Sequence, residues 1–421
     1  MSGGPRSAAV AGATWDVAVL GAGVSGAVAA LLAARQGLRV LLLERQYFPR
    51  GKICGCCLNQ RAQAVLRLAG LEGVVSELSP VRTEVLRLQR GGRRLELPVP
   101  GGLVVSRRAL DERLVAEAIA AGVEFVDDAT AVVVPESESD LRRLDFRRVA
   151  VTRTSGGGAP GLRVGGFGDE RTELRGSEIR ARVILACDGL GHTSLSRHRE
   201  FQSRPVPGAR VGLGVECPRL SGDDHFGVHE IVMAIGGGGY VGVVRTECDR
   251  LNLAAAVDSG ALQKSGSPVA CLSEIFAESG VRQPQGLEAS LIRGTPPLTR
   301  RSPRLAGHRL LLLGDATGYV EPFTGEGMAW ALTAAWLAVP LACEGLTSGW
   351  TENLEQQYAR LLDRAVGREQ FICRGLASIL RHPFLSAATM MAAGFCPWAV
   401  RSVVHRINRL PHLPEFQFET V

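Results

Sequence analysis

The feature that most constrains this chain is a three-glycine turn set between a strand and a helix. Residues 16–20, DVAVL, read as a short apolar strand, and GAGVSG at 21–26 runs directly into AVAALLAARQG, an alanine- and leucine-rich helix. RVLLL at 39–43 reads as a second buried strand and ends at Glu44. Strand, helix and strand in that order open a parallel sheet. Each glycine has a physical role: Gly21 permits the tight turn, Gly23 lets backbone approach a pyrophosphate, and Gly26 lets the helix lie close on the strand. The helix N-terminus then offers unpaired N–H groups and the positive end of its dipole. Glu44, 23 residues after Gly21, stands where an acid accepts hydrogen bonds from an adenosine ribose and disfavours a 2'-phosphate.

The context matters because glycine is abundant, 51 of 421 residues, so a lone glycine motif could arise by accident. The length predicts roughly two to three domains. With 46% hydrophobic and 21% charged residues, the chain is globular and not wholly disordered. The net charge is only +6, and the densest arginine clusters, 87–94 and 142–148, are short and mixed with apolar residues, which argues against a nucleic-acid partner. The opening MSGGPRSAAVAGATWD has no long apolar core, so the expected compartment is the cytoplasm, with the ten cysteines as thiols. Only Cys54, Cys56 and Cys57 cluster, without the second ligand pair of a structural zinc site, and no metal is expected.

Further along, 60–70 reads as a helix, 82–98 as strand, 107–122 as an amphipathic helix and 123–134 as strand. Residues 141–180 read as a small antiparallel meander, and RVILAC at 182–187 as a separate buried strand. A different block, 208–300, carries strands at 231–235, 240–245 and 251–257, a glycine turn at 236–239 and a helix at 266–279. Parallel-sheet character returns with RLLLLGDATG at 309–318, followed by a long apolar helix from about 325 to 342. The uncharged stretch 383–400 suits a buried helix, a lid or a membrane-facing surface.

Taken with the strand–GxGxxG–helix–strand–Glu frame, FPRGKICG (48–55), VSRRALDERL (105–114), ACDGLGHTSLSR (186–197) and LLLGDATGYVEPFTGEGMAWAL (311–332) resemble the FAD-dependent oxidoreductases of the para-hydroxybenzoate hydroxylase fold. The nearest likeness is to the branch with geranylgeranyl reductase-like proteins and flavin halogenases. The resemblance implies an α/β fold: a Rossmann-like FAD-binding domain of the glutathione reductase type, an inserted, mainly antiparallel substrate domain, and a helical C-terminal region. The corresponding expectation is a discontinuous FAD domain at 15–80, 103–207 and 301–345, a substrate domain at 81–102 and 208–300, and a helical region at 346–421.

The same likeness implies FAD as cofactor, with NADH or NADPH as transient reductant. Gly21, Gly23 and Gly26 would hold the pyrophosphate, and Glu44 the ribose, with Arg45 beside it also assigned to the cofactor. Arg107 would reach the phosphate or ribityl region. Asp188 and Gly189 would lie near the pyrophosphate, and Asp315 would bond a ribityl hydroxyl. Backbone at Gly325, Gly327 and Met328 would meet the pyrimidine edge, where N–H groups at a helix start stabilise the negative charge of reduced flavin. The residues alone also allow a plain helix cap at Thr324 there, and the two readings are compatible.

The reaction is less constrained. A halogenase of this fold relies on a lysine beyond the Rossmann unit and a WxWxIP segment. Here the lysines are Lys52 and Lys264, neither at that place, and the segment is absent. The sequence favours a monooxygenase acting on an apolar or aromatic small molecule of secondary metabolism. The alternatives are an ene-type reductase or dehydrogenase and a non-catalytic binding protein of the same fold. The aromatic YxWxFP-like stretch of the reductase branch has only GGGGYVGVVR, 236–245, as counterpart. Three residues are candidates for catalysis: Cys54 as proton donor, electron exchanger or packing group; Tyr240 facing the flavin or packing in a strand; Lys52 supporting a negative charge or standing in solvent. A partner flavin reductase and peripheral membrane contact are further expectations.

Overall fold

A computed structural model describes residues 12–135, 139–151, 171–321 and 325–382, with Val10, Leu385, Thr389, Leu413, Pro414 and Phe416 besides. Thr324 and nearly all of 383–400 lie outside the described residues.

The apolar strands read from the sequence assemble side by side in one sheet. Leu310–Leu312, Arg171–Ala186, Thr14–Leu20, Val40–Leu43 and Glu124–Val126 neighbour each other in that order, all parallel. Val17–Leu20, Val40–Leu43, Val183–Ala186 and Leu310–Leu312 are buried on both faces, as crossover helices require. One difference concerns 141–187. The expected antiparallel meander is present: Ala129–Val133, Arg142–Val151 and the first part of Arg171–Ala186 pair antiparallel in turn. The strand expected separately at 182–187 is not separate, because Arg171–Ala186 is a single 16-residue strand whose later part joins the parallel sheet.

Helix Val24–Arg35 leaves the glycine turn with Val24 to Ala33 all buried. Alanines on it allow close approach of the long apolar helix Gly327–Thr347, and Ser25 donates a 2.8 Å hydrogen bond to the Ala331 carbonyl. Helix Gly327–Thr347 is long and apolar enough to cross a membrane, but 83% of its apolar 18-residue stretch is buried inside the fold. Helix Glu352–Arg381 packs outside it, and its Tyr358 hydroxyl donates to the Leu312 carbonyl at 2.6 Å.

The second sheet runs Arg293–Pro297, Val211–Pro218, Arg250–Val257, Gly239–Arg245, Glu230–Gly236, Val81–Arg90, Arg93–Val104 and Cys57–Leu58. All its pairings are antiparallel except Val81–Arg90 with Glu230–Gly236. Side chains alternate between its faces. Leu213, Val232, Val241, Val243 and Leu253 pack with Leu272, Ile275 and Phe276 of helix Pro268–Ser279. The intervening positions, Met233, Tyr240, Gly242, Val244, Ala254 and Ala256, face the other way, into a cavity shared with the first sheet.

Candidate active site

A cavity of about 970 Å³ runs from the carboxyl ends of the parallel strands to the face of the second sheet. A crevice at that end is where open α/β sheets bind ligands. The sequence-selected residues Gly21, Gly23, Glu44, Arg45, Lys52, Cys54, Arg107, Asp188, Gly189, Tyr240, Asp315, Gly325, Gly327 and Met328 all line it. Gly26 does not. A side chain there would collide with the Gly21 carbonyl, so its part is to let helix and turn touch, and contact with a ligand is left to the other two glycines.

Gly21 has φ +110°, and a side chain on it would run into the Cys187 carbonyl. Gly23 differs: a Cβ there would meet nothing closer than Arg107 Nη2 at 3.5 Å and Arg50 Nη2 at 3.9 Å. It caps helix Val24–Arg35 with no side-chain hydrogen bond to the free N–H groups. The space above Gly23 is thus a cradle bounded by a helix N-terminus and two guanidinium groups, which suits a pyrophosphate.

Four charged side chains brace this cradle. Arg107 bonds Asp111 with two prongs, Nε at 2.9 Å and Nη2 at 2.7 Å. Arg50 bonds Asp111 at 2.7 Å and Glu44 at 3.0 Å. Glu44 also accepts from the backbone N–H of Ala22 and of Gln46, both at 3.1 Å. A carboxylate has about four acceptor positions, so Glu44 keeps one for a ribose hydroxyl. Arg45 is exposed at the rim.

Further in, Asp188 Oδ2 accepts from the Ser194 N–H at 2.7 Å, while its buried Oδ1 has no hydrogen-bond partner among the described residues. Buried oxygens are rarely left so, and a ligand hydroxyl or amide would satisfy it. Lys52 Nζ lies 2.9 Å from Asp315 Oδ2, so Lys52 is neither loose in solvent nor alone in the cleft. Uncapped N–H groups, the Gly23 cradle and the unpartnered Asp188 oxygen together fit FAD.

The cysteine trio divides. Cys54 and Cys57 line the cavity, whereas Cys56, at φ +59°, turns away to pack with Val104 and Val244. Cys54 stands beside the Arg107 guanidinium. Cys57 lies against Gly325, and burial, aided by Cys54, pushes its thiol up to about 12. The nine described cysteines are all thiols. Tyr240 is buried, and burial followed by Glu321 pushes its phenol well above the ordinary value, so it keeps its proton. The Arg210 guanidinium stacks 5.6 Å from its ring and pairs with buried Glu321 at 3.2 Å.

Sequence reasoning does not single out Arg50, Asp111, Tyr319 or Glu326. Asp111 had a signal, one helical turn after Arg107. Arg50 had only its place inside FPRGKICG. Tyr319 lines the cavity, with its hydroxyl 3.3 Å from where a Cβ of Gly327 would stand.

The model of the FAD dependent oxidoreductase family matches residues 16–122, which hold the glycine turn, Glu44, Arg50, Arg107 and Asp111. Over that stretch the chain resembles the FAD-dependent oxidoreductases. The whole chain is 28% identical to menaquinone reductase of Mycobacterium tuberculosis over 389 residues, covering 87% of this chain and 84% of the relative. It is 25% identical to digeranylgeranylglycerophospholipid reductase 2 of Methanothermobacter thermautotrophicus, covering 80% and 79%. Among solved structures, p-nitrophenol 4-monooxygenase PnpA of Pseudomonas putida superposes with TM-score 0.71 at 14% identity, over 95% of this chain and 100% of that one. The chain therefore has the mixed α/β fold of FAD-binding monooxygenases, and the two curated relatives above are named as reductases.

Proposed function

We propose that this oxidoreductase saturates a carbon–carbon double bond in an apolar molecule bearing an unsaturated hydrocarbon chain. The observation that carries the reading is the chamber at the second sheet. Its wall joins apolar Leu86, Val99, Ile231, Met233, Val244 and Leu298. Gly212, Gly242, Ala254 and Ala256 add little bulk, so the sheet face is hollowed, and the chamber opens directly onto Cys54 and the glycine cradle. Two relatives that span most of the chain are named as reductases of compounds with long isoprenoid chains, which moves this reading ahead of the monooxygenase favoured by sequence alone.

Bound and reduced, FAD supplies a hydride. The residues of the chain do the rest. The helix N-terminus at Gly23, with Arg107 and Arg50, holds the pyrophosphate, and Asp315 the ribityl chain. N–H groups at the start of helix Gly327–Thr347 face the pyrimidine edge and stabilise negative charge there. Cys54 donates the proton that completes the reduction, and the Arg107 cation stabilises the thiolate left behind. The apolar wall holds the double bond in place and excludes water. Electrons arrive from NADH, NADPH or a separate flavin reductase.

The test is anaerobic. FAD-loaded protein, reduced with dithionite, is mixed with menaquinone carrying an unsaturated side chain or with a geranylgeranyl lipid. Reoxidation of the flavin without oxygen, with a product that has gained two hydrogens in its hydrocarbon chain, supports the reading; reduction of the quinone ring alone does not. A flavin that stays reduced until oxygen is admitted, and then yields an oxygenated product, establishes the monooxygenase instead. The likeness of fold to PnpA, itself a monooxygenase, is what supports that second reading.

A further inference from the structure

Glu326 is the least exposed acid lining the cleft, at 1%. It lies between Gly325 and Gly327 and occupies the N-cap of helix Gly327–Thr347. In water, an acid at a helix N-terminus is held ionised by the dipole and the free N–H groups. Here its surroundings oppose that. Glu326 Oε2 accepts a 2.6 Å hydrogen bond from Asn59 Nδ2. Two charged groups face it from other helices: Arg61 of Gln60–Leu68, fully buried, and Glu369 of Glu352–Arg381. Its own helix carries no charge before Glu344. Arg61 is already engaged, pairing with Glu369 at 3.1 Å and donating to the Ala365 carbonyl. One buried cation therefore serves two carboxylates.

We propose that Glu326 is a neutral acid beside the cofactor's pyrimidine edge, and that its ionisation at alkaline pH makes the bound flavin harder to reduce. This rests on the reading that Gly325, Gly327 and Met328 meet that edge. With Arg61 balancing Glu369, a protonated Glu326 leaves the cluster without net charge. An ionised Glu326 sets a second negative charge beside the one that reduction creates, and like charges disfavour each other. Burial is the main cause that raises its carboxyl to about 8, against the lowering pull of Arg61 and Asn59. When two electrons enter the cofactor above that pH, one additional proton passes from water to the Glu326 carboxylate.

The experiment is an equilibrium redox titration of the FAD-loaded protein with dithionite and indicator dyes from pH 6 to 10. It compares wild type, Glu326→Gln and Glu369→Gln. In the wild type the midpoint potential steepens above about pH 8 by about 30 mV per pH unit, the tenfold change per unit that one extra proton makes in a two-electron couple. Glu326→Gln follows the wild type at pH 7 and lacks the steepening. Glu369→Gln moves the onset to lower pH, because Arg61 then serves Glu326 alone. A wild type without the step, or a step that persists in Glu326→Gln, overturns the inference. If Glu326→Gln does not fold, an onset unmoved in Glu369→Gln overturns it. A wild type that takes up no FAD overturns the cofactor reading and this inference with it, whereas a bound flavin lacking the step overturns this inference alone.

Discussion

Arg107 and Asp111, one helical turn apart, form a two-pronged ion pair that aims a guanidinium over the glycine turn, and Arg50 joins the same carboxylate from a loop 61 residues away. Asp111 is fully buried, so removing its charge leaves two cations short of a partner. Asp111→Asn is expected to weaken FAD at least tenfold and to cost about 3 kcal/mol of stability. Flavin fluorescence titration and urea unfolding measure the two effects.

The three glycines of the turn separate by mechanism. Gly23→Ala places its methyl in the open cradle, so the apo protein should melt within a degree or two of wild type while FAD affinity falls by about two orders of magnitude. Gly21→Ala and Gly26→Ala press on backbone carbonyls and should instead lower the apo melting temperature. Calorimetry of the apo proteins beside FAD titration distinguishes the two patterns.

This division shows what the sequence makes legible. The glycine turn, its helix and the strand ending at Glu44 are contiguous, and local sterics dictate them. The Glu44–Arg50–Asp111–Arg107 brace is not contiguous: it exists because the 44–50 loop folds onto helix Arg107–Ala120. Cys54, Cys56 and Cys57 look equivalent in sequence, yet the left-handed backbone at Cys56 sends its side chain away from the cavity. The length of the strand Arg171–Ala186 hid because its first half, RTELRGSE, is polar and RVILA is apolar, so the two halves read as separate elements. Glu326 gave no sign of its burial, since Glu369, more than 40 residues later, comes from a helix that packs across it.

Cys54→Ser should bind FAD as wild type does and slow flavin reoxidation by an alkene by about 10²-fold or more, the usual range for loss of a general acid. Cys56→Ser should lose about 1 to 2 kcal/mol of stability, because a hydroxyl replaces a thiol in an apolar pocket, and leave that rate nearly unchanged. Stopped-flow reoxidation and thermal unfolding provide both readouts.

Glu326 also governs stability against pH in the apo protein. Its folded carboxyl sits at about 8, above the ordinary 4.5, so between those values the unfolded chain releases a proton that the folded chain retains. Stability from this group is fully present below about pH 4.5 and declines as pH rises to 8, by a total on the order of 4 kcal/mol. Glu326→Gln should remove that decline, leaving the variant more stable than wild type at pH 8. Urea unfolding from pH 5 to 8 tests it, and parallel curves for the two proteins would contradict it.

Ala254 and Ala256 supply the hollow that accepts a hydrocarbon chain. Ala254→Leu should raise KM for a long-chain alkene at least tenfold and leave FAD affinity alone, as measured by steady-state kinetics and flavin titration.

The most direct test of double-bond reduction is the mass of the product after a single anaerobic turnover in D₂O. The protein is reduced by dithionite, loaded with a geranylgeranyl substrate and quenched. The account predicts a product with one double bond reduced and deuterium at the carbon protonated by Cys54, formed without oxygen and sharply diminished in Cys54→Ser. Unchanged substrate under nitrogen, followed by a product carrying one added oxygen once air is admitted, would contradict it.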